Sequence, residues 1–307
     1  MEFATGRAIE TRKKISSLKQ EQRRYNFFVH ILFIVLCIIV VSPFIIILMA
    51  SFSTEISLLR SGYWIWPRGF SLDAYQLVFL NSKQLLQSYT VTFITTIAGT
   101  VLGLWMMTTM GYVLSRKDYR YGNFLSFYVF FTMLFRGGLV PTYILVAKWL
   151  GMQNTIYALF VPALVSAFYI FIMKGFLKSI PDAIFESAKI DGASEFRIFT
   201  QIVIPLSTPA IATIGLLTAL GFWNEWFASF LYTDSNQLLT LQAMLYRMLN
   251  SIQFLNISKP ISMSSSMLPQ NTFRMAMCVL AVGPLLFVFP FFQRFFTKGL
   301  TVGSVKG

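Results

Sequence analysis

The stretch of sequence that decides the fold is Glu186-Ser187-Ala188-Lys189-Ile190-Asp191-Gly192-Ala193. A second part of the same motif, Ile202-Val203-Ile204-Pro205, follows it in the chain. It is polar, charged and interrupted by glycine, and a long apolar stretch lies on each side of it. A loop that only joined two membrane spans would not need this design. Gly192 suits the left-handed position that ends a helix, and Ser179 and Ser194 can cap a first and a second helix. We therefore expect two short helices that project between two spans.

The rest of the chain is dominated by apolar residues. Of its 307 residues 56% are hydrophobic and 12% are charged, whereas roughly a quarter of the residues in an average soluble domain are charged. Several apolar stretches exceed the ~18 residues that indicate a transmembrane helix. Gly137-Gly138 and Gly283-Pro284 interrupt the third and the sixth of them. We predict an all-α integral membrane protein with six transmembrane helices, at roughly Phe27–Ala50, Tyr89–Leu114, Phe124–Lys148, Thr155–Leu177, Thr208–Tyr232 and Phe273–Phe292.

The net charge of +13 does not indicate a nucleic-acid partner, because the positive charges follow the order of the spans. By the positive-inside rule both termini are cytoplasmic. This predicts a cytoplasmic basic tail at 1–26, a transmembrane domain at 27–294 that includes a cytoplasmic loop at 178–207, and a cytoplasmic C-terminal tail at 295–307. The basic tail sets topology or binds anionic lipid head groups. The positive residues of this side are Arg7, Arg12, Lys13, Lys14, Lys19, Arg23, Arg24, Arg116, Lys117, Arg120, Lys174, Lys178, Lys189, Arg197, Arg294, Lys298 and Lys306.

The sequence offers no catalytic or metal-binding set. Cys37 and Cys278 both lie inside apolar spans, and no cluster of His, Cys and carboxylates has the spacing of metal ligands. A phosphate-binding loop of the G-x-x-x-x-G-K-[ST] type is also absent. We therefore expect no catalytic residue, no metal site and no cofactor on this chain, so that any ATP that drives its work is hydrolysed by another chain.

The motif segment resembles the coupling motif of bacterial importer permeases that are powered by ATP-binding cassettes. In that family the motif reads Glu-Ala-Ala, then Gly, then Ile-x-Leu-Pro, and this chain keeps the spacing while placing Ser187 and Ile204 at two of the positions. The resemblance covers about Phe70 to Gly307 and is closest to the carbohydrate branch, the maltose-type inner permeases, which end in a Gly-rich tail. The stretch Gly137-Gly138-Leu139-Val140-Pro141-Thr142-Tyr143 is similar to the lipoprotein- and polysaccharide-linked permeases of that branch.

This resemblance implies one half of the pore of an ATP-driven importer in the bacterial cytoplasmic membrane. The implied partners are a second, non-identical permease, an ATPase dimer that holds ATP and Mg, an extracytoplasmic solute-binding protein and membrane lipid. The motif would dock on an ATPase subunit, and the C-terminal tail would reach between the ATPase subunits. From the residues alone, an amphipathic helix that lies on the membrane is the alternative. The implied ATPase-coupling residues are Glu186, Ser187, Ala188, Asp191, Gly192, Ala193, Phe196, Ile202 and Pro205.

The candidate substrate path lies in the predicted fifth span, at Trp223, Asn224, Glu225 and Trp226, with Tyr143 of the third span as a further candidate. Sugars need flat aromatic surfaces for their C–H faces and amide or carboxylate groups for their hydroxyls. A charged Glu within a span costs ~2.5–3.5 kcal/mol on insertion scales, so it should face a cavity or a partner. Tryptophan also marks membrane interfaces, and polar side chains also bond across helices, so both of these roles stay open.

These observations predict a permease subunit that imports a sugar or an oligosaccharide. The oligosaccharide can be one that is derived from a polysaccharide. An importer permease for a non-sugar solute is the first alternative. A secondary transporter would carry its own coupling-ion site and often internal repeats, and neither is visible. A membrane-embedded enzyme would need a base or a metal cluster beside Glu225, and the sequence provides none.

Overall fold

The computed structural model describes residues 2–80, 82–258 and 269–303, with side chains throughout except at 2–21, 252–258, 289 and 291–303. Part of the stretch between the predicted fifth and sixth spans and the last four positions of the predicted tail 295–307 lie outside these ranges. Within the described residues the chain is helical and forms no strand, apart from an isolated bridge between Ser53 and Phe70. The prediction of an all-α protein is confirmed for this part of the chain.

The helices follow one another closely along the chain, and short 3-10 turns or π-helical turns join several of them. In chain order the α-helices are α1 Glu2–Ser51, α2 Glu55–Ser61, α3 Asp73–Phe79, α4 Ser82–Ser115, α5 Gly122–Leu134, α6 Leu139–Tyr143, α7 Ala167–Lys178, α8 Asp182–Ile190, α9 Glu195–Ile198, α10 Ile204–Leu206, α11 Thr208–Trp223, α12 Phe227–Tyr232, α13 Leu241–Ser258 and α14 Gln270–Gly303. The π-helical turns are Ile144–Trp149 and Phe199–Val203, and the 3-10 turns are Ile156–Leu159, Val161–Ala163 and Asn236–Leu238.

Three single helices are long and apolar enough to cross a membrane, at Gln22–Ser51, Ser82–Ser115 and Gln270–Val288. Three further candidates are helix pairs with a bend between their halves, so the described residues contain up to six spans. The pairs are Gly122–Leu134 with Leu139–Trp149 at 114°, Ile156–Ala163 with Ala167–Lys178 at 49°, and Glu195–Leu206 with Thr208–Trp223 at 77°. Six spans are therefore plausible, and half of them are broken.

The prediction of one continuous fifth helix over Thr208–Tyr232 is wrong. Helix α11 ends at Trp223, and α12 begins at Phe227. The amide of Asn224 donates to the carbonyl of Leu220 at 2.9 Å, and the carboxylate of Glu225 accepts from the backbone N–H of Ala228 at 2.8 Å. The Leu220 carbonyl also accepts from the backbone N–H of Asn224 at 3.1 Å, so both donors of Asn224 close the end of α11. The Glu225 carboxylate gives an N–H group in the first turn of α12 the acceptor that it lacks within the helix.

The expected interruption of the sixth span at Gly283-Pro284 is also wrong, because α14 continues through Pro284 and Pro290. A proline within a membrane helix is tolerated where neighbouring groups satisfy the freed backbone carbonyl. The interruption of the third span after Leu134 is confirmed, since the chain bends by 114° before Leu139. Gly138 has φ +88° at this point, a left-handed region that glycine adopts without strain.

The chain divides into two compact units, one made of the residues up to Tyr75 with Asn271–Val279, and the other made of Gln76–Gln270 with the residues from Leu280 onward. In the first unit the Glu55 carboxylate holds the start of α14. It accepts from the backbone N–H groups of Asn271 at 3.0 Å and Thr272 at 2.9 Å, and from their side chains at 2.8 and 3.0 Å. One carboxylate therefore satisfies two of the otherwise free N–H groups at this helix end.

The second unit is built on α4, which packs against α7 and α11. Gly103 of α4 lies against the backbone of the turn before α7, and a Cβ atom placed there would be only 2.6 Å from the carbonyl oxygen of Leu164. Small residues allow such backbone-to-backbone approaches between membrane helices. The buried core that results also includes side chains of the motif segment; its members are Met107, Tyr112, Leu114, Val129, Ile170, Met173, Leu177, Phe185, Ala188, Ile198, Phe199, Val203, Ala210 and Ile214.

Candidate functional site: the motif segment and the break in the fifth span

The motif segment, residues 182–205, contains the two short helices that the sequence predicts, α8 and α9, and continues through the π-helical turn Phe199–Val203 into α10. Helix α8 ends before Gly192, which has φ +77°. The hydroxyl of Ser194 accepts from the backbone N–H of Arg197 at 3.3 Å and caps α9. The predicted cap at Ser179 is wrong, because its hydroxyl donates to the carbonyl of Phe176 in the preceding helix and α8 begins after Pro181 without a side-chain cap.

One face of the motif segment is built into the core of the second unit. Phe185 is 6% exposed, its ring lies 6.3 Å from the ring of Tyr112, and the guanidinium of Arg116 lies 5.1 Å from its centroid. Ala188 is buried beside it, and Ile198 continues the same face. Of the predicted coupling residues, Ala188 is thus buried in this core, and Ala193 and Ile202 pack against it.

The opposite face of the segment is open. Ile190 is 86% exposed and Phe196 is 68% exposed, so the segment presents two large apolar side chains among its charged residues. Ala193 and Ile202 are partly buried, whereas the remaining predicted coupling residues are exposed, namely Glu186, Ser187, Asp191, Gly192 and Pro205. Most of the predicted coupling residues are therefore accessible.

A charged cluster, which we call the clamp, ties the motif segment to the loop after α4. The ammonium of Lys189 lies 2.7 Å from the carboxylate of Asp118 and 3.0 Å from that of Glu195. Arg116 donates two hydrogen bonds to Asp118, at 3.1 and 2.8 Å, and the hydroxyl of Tyr112 donates to Glu195 at 2.7 Å. Because Lys189 lies in α8 and Glu195 in α9, the clamp also fixes the angle between the two short helices.

Hydrogen bonds within the clamp shift the protonation equilibria of its members. Donation from Arg116 and Lys189 holds the pKa of Asp118 well below its usual range, and hydrogen bonds to Asp118 and Glu195 raise the pKa of Lys189. The clamp was not predicted from the sequence, because the charges of Arg116 and Lys189 were interpreted as determinants of topology. The available signal was Asp118, a single acid inside the basic run from Arg116 to Arg120.

The break in the fifth span places the predicted substrate-path residues in different environments. Trp223 is only 3% exposed, and its indole N–H donates to the carbonyl of Ala281 at 3.0 Å. The centroids of its ring and the Phe93 ring are 5.2 Å apart in an edge-to-face arrangement. The stacking surface that the sequence analysis expected of Trp223 is therefore not available, because both its polar and its apolar surface are used in packing. The Glu225 carboxylate is likewise engaged, as the cap of α12.

Asn224 and Trp226 remain accessible, and they meet side chains of α13 that the sequence analysis did not single out. The ring of Trp226 lies 4.8 Å from the ring of Tyr246, and the amide of Gln242 lies 3.5 Å from the Asn224 oxygen. Tyr143 lies elsewhere, stacked in parallel on Tyr232 with ring centroids 5.9 Å apart. Among the described residues, no three His, Cys, Asp or Glu side chains come together as metal ligands.

Comparison with known proteins gives consistent results. Residues 99–302 match the family model of the binding-protein-dependent transport system inner membrane component. The chain is 39% identical over 269 residues to Protein LplC of Bacillus subtilis, covering 88% of this chain and 90% of that one. It is 37% identical over 287 residues to the polygalacturonan/rhamnogalacturonan transport system permease protein YtcP of the same organism, covering 94% and 100%. Among solved structures, a bacterial ABC transporter involved in the import of the acidic polysaccharide alginate has a chain that matches with a TM-score of 0.75 at 26% identity, covering 89% of this chain and 97% of its own.

Proposed function

This chain belongs to the family of inner membrane components of binding-protein-dependent transport systems, and we propose that its motif segment is the element that links sugar passage to ATP hydrolysis on a separate subunit. The chain is a pore-forming, non-catalytic permease subunit of an ABC importer for a sugar or an oligosaccharide. It lies in the membrane as a multi-pass protein. The proposal extends to the contact with the ATPase, the orientation in the membrane and the delivery of the cargo.

The observation that carries the proposal is the two-sided burial of the motif segment. Phe185 and Ala188 anchor it in the core, whereas Ile190 and Phe196 are left in the open on the other side. A helix-in-groove interface requires apolar side chains that project from helices whose position is fixed, and Ile190 of α8 and Phe196 of α9 meet this requirement. The ATPase subunit would supply a groove for Ile190 and Phe196.

The charges of the segment indicate the chemistry of that groove. Lys189 and Glu195 are neutralised within the clamp, and Asp182 pairs with Lys117 at 2.7 Å. No ion pair to Glu186 or Asp191 occurs within the described residues, and both carboxylates are exposed. A cavity of about 310 Å³ beside α8 is lined by Glu186 and Asp182 together with four basic side chains, so its own charges are mixed and the free carboxylates are those on the exposed surface. The partner surface should therefore offer apolar side chains together with basic or N–H donors.

We further propose the arrangement of the whole importer. A second, non-identical permease completes the pore, an ATPase dimer binds ATP and Mg on the cytoplasmic side, and an extracytoplasmic binding protein delivers the cargo. Both termini and the motif segment face the cytoplasm, as the charge pattern of the sequence predicts. Relatives named for polygalacturonan, rhamnogalacturonan and alginate transport support an oligosaccharide derived from a polysaccharide as the cargo.

The test is purification of the four-part complex with a change at the exposed anchor. Ile190→Asp should lower the amount of ATPase subunit that copurifies with the permease pair, because it places a charge in an apolar groove. Ile190→Leu is the matched control, since it keeps an apolar side chain of the same size. Neither change should alter membrane insertion or the pairing of the two permeases, because Ile190 has almost no contacts within this chain.

Equal ATPase recovery from Ile190→Asp and wild type would contradict docking through this face. Reduced membrane retention with unchanged ATPase recovery would instead favour contact of the face with lipid. A wild-type complex that hydrolyses ATP but takes up no saccharide when the binding protein is present would contradict the sugar cargo and favour a different solute.

A further inference from the structure

We propose that an exposed face formed by Asn224, Trp226, Gln242 and Tyr246 binds pyranose rings of the transported saccharide. We call it the sugar face. The proposal rests on the importer function above and adds where this subunit contacts its cargo. Two of its residues follow α11, and the other two lie in α13.

The aromatic half of the sugar face is a pair of half-open rings. Trp226 is 38% exposed and Tyr246 is 43% exposed, and their planes are inclined by 31°. The face of an aromatic ring is electronegative and attracts the weakly positive C–H groups of a sugar ring. Because the two rings support each other without covering each other, each keeps surface on which a sugar can stack.

The polar half of the sugar face consists of two amides. The oxygen of Asn224 accepts from Gln242 at 3.5 Å, which is long for a hydrogen bond and therefore weak. The nitrogen of Asn224 is held by the carbonyl of Leu220 at 2.9 Å, so its oxygen is kept in place. A side-chain amide offers both donors and an acceptor, which a pair of sugar hydroxyls can use. A hydroxyl can replace the long amide–amide contact at little cost.

Buried hydrogen bonds hold the backbone under the sugar face in position. The N–H of Leu241, at the start of α13, donates to the hydroxyl of Thr92 in α4 at 2.8 Å, and Leu241 and Thr92 are both fully buried. The hydroxyl of Thr240 donates to the carbonyl of Glu225 at 2.8 Å. These bonds connect α13 to the break between α11 and α12, so the two halves of the sugar face are arranged before a ligand arrives.

The sugar face is neutral and elongated. The one carboxylate at the break, Glu225, caps α12 and is not part of it. Along α13 the face continues to Asn250, which is exposed and follows Tyr246 at helical spacing. At 1.5 Å per residue, Gln242 and Asn250 are separated by about 12 Å, which exceeds the width of one sugar ring. The sugar face is therefore long enough for an oligosaccharide. It would recognise the hydroxyls and ring faces of the sugar and not a charge.

The experiment uses the reconstituted four-part complex and two probes of equal length, a neutral galacto-oligosaccharide and an oligogalacturonate. Binding is measured by saturation-transfer NMR without the binding protein, and uptake is measured into vesicles with it. The test variants are Trp226→Ala and Tyr246→Ala. Trp226→Phe and Tyr246→Phe are matched controls that keep an aromatic face.

Both alanine variants should weaken binding of both probes by roughly tenfold, the loss expected for one contact of ~1.4 kcal/mol. Both phenylalanine variants should bind as the wild type does, and all four variants should yield as much assembled complex as the wild type. Unchanged binding in the alanine variants, or no saturation transfer from the wild-type complex, would overturn the sugar face. A lower yield of complex in the alanine variants, with unchanged saccharide binding by the complex that does form, would also overturn it. That result would assign these residues to contact with the second permease. Failure of the importer function itself would appear differently, as absent saccharide uptake by the wild-type complex.

Discussion

Two phenylalanines on opposite faces of the motif segment should respond differently to the same truncation. Phe185 is buried against Tyr112 under the Arg116 guanidinium, whereas Phe196 is largely exposed. Removing a buried Phe side chain costs about 3–5 kcal/mol through lost transfer energy and the cavity left behind. Removing an exposed one usually changes stability by less than about 0.5 kcal/mol.

This difference is measurable as hydrogen exchange of residues 182–203 in the purified permease pair. Since about 1.4 kcal/mol corresponds to a factor of ten, a loss of about 3 kcal/mol means that Phe185→Ala should accelerate exchange in this segment roughly a hundredfold or more. Phe196→Ala should leave exchange unchanged and lower only the recovery of the ATPase subunit. Phe185→Leu, which keeps most of the buried volume, should give an intermediate exchange rate.

The reasoning would be refuted if the two alanine variants showed the same exchange rates. It would also be refuted if Phe185→Ala left the segment fully protected, because the inward face would then not be what holds the segment. A loss of ATPase recovery in Phe185→Ala alone would show that Phe196 is not part of the docking surface.

Four further predictions concern the clamp, its pH dependence, the contact of Gly103 with the backbone at Leu164, and the start of α14. Lys189→Glu should uncouple ATP hydrolysis from uptake, and adding Asp118→Lys should restore the ratio of uptake to hydrolysis; a double variant no better than the single one would contradict the clamp. Because the pKa of Asp118 is lowered in the folded protein, its ion pairs stabilise the clamp fully above the ordinary carboxylate pKa of ~3.9 and less as the pH falls below it. Because the pKa of Lys189 is raised, its ion pairs stabilise the clamp fully below ~10.4 and less as the pH rises above it. The melting temperature of the complex should therefore be constant between about pH 5 and 9 and fall outside that window. Gly103→Val should prevent assembly, measured as loss of a monodisperse complex, because its side chain would meet the backbone at Leu164, whereas normal assembly would show that the two elements can separate. Glu55→Gln should lower the melting temperature, since one amide oxygen can replace only some of the four accepted hydrogen bonds; an unchanged melting temperature would show that they add nothing.

The sequence predicts local features well where the residue itself carries the reason. Gly192 takes the left-handed position and Ser194 caps α9, because these preferences belong to the glycine backbone and to the serine hydroxyl. The same reasoning failed for Ser179, whose hydroxyl found a carbonyl in the preceding helix first. Competition between equivalent partners is decided by the three-dimensional arrangement and not by the local sequence.

The two tryptophans of the fifth span show why the candidate site was only partly predictable. Both stand in the same short apolar stretch, and nothing in the pattern indicates that Trp223 points inward and Trp226 outward. The distinction depends on the break at Asn224 and on contact with Ala281, far along the chain. Tyr246 and Gln242 were missed for the same reason, since both lie between the predicted fifth and sixth spans and meet the break only in the folded chain.

The contact at Gly103 limits how this protein can change shape. In a shear motion, packed helices slide past each other while their side chains change rotamers in the interface. Where the carbonyl of Leu164 rests directly on the α4 backbone, there is no side chain whose rearrangement could accommodate sliding. Movement in the second unit is therefore expected to be of the hinge type, concentrated at the bends of 114°, 49° and 77°, with the helical pieces between them keeping their length and register.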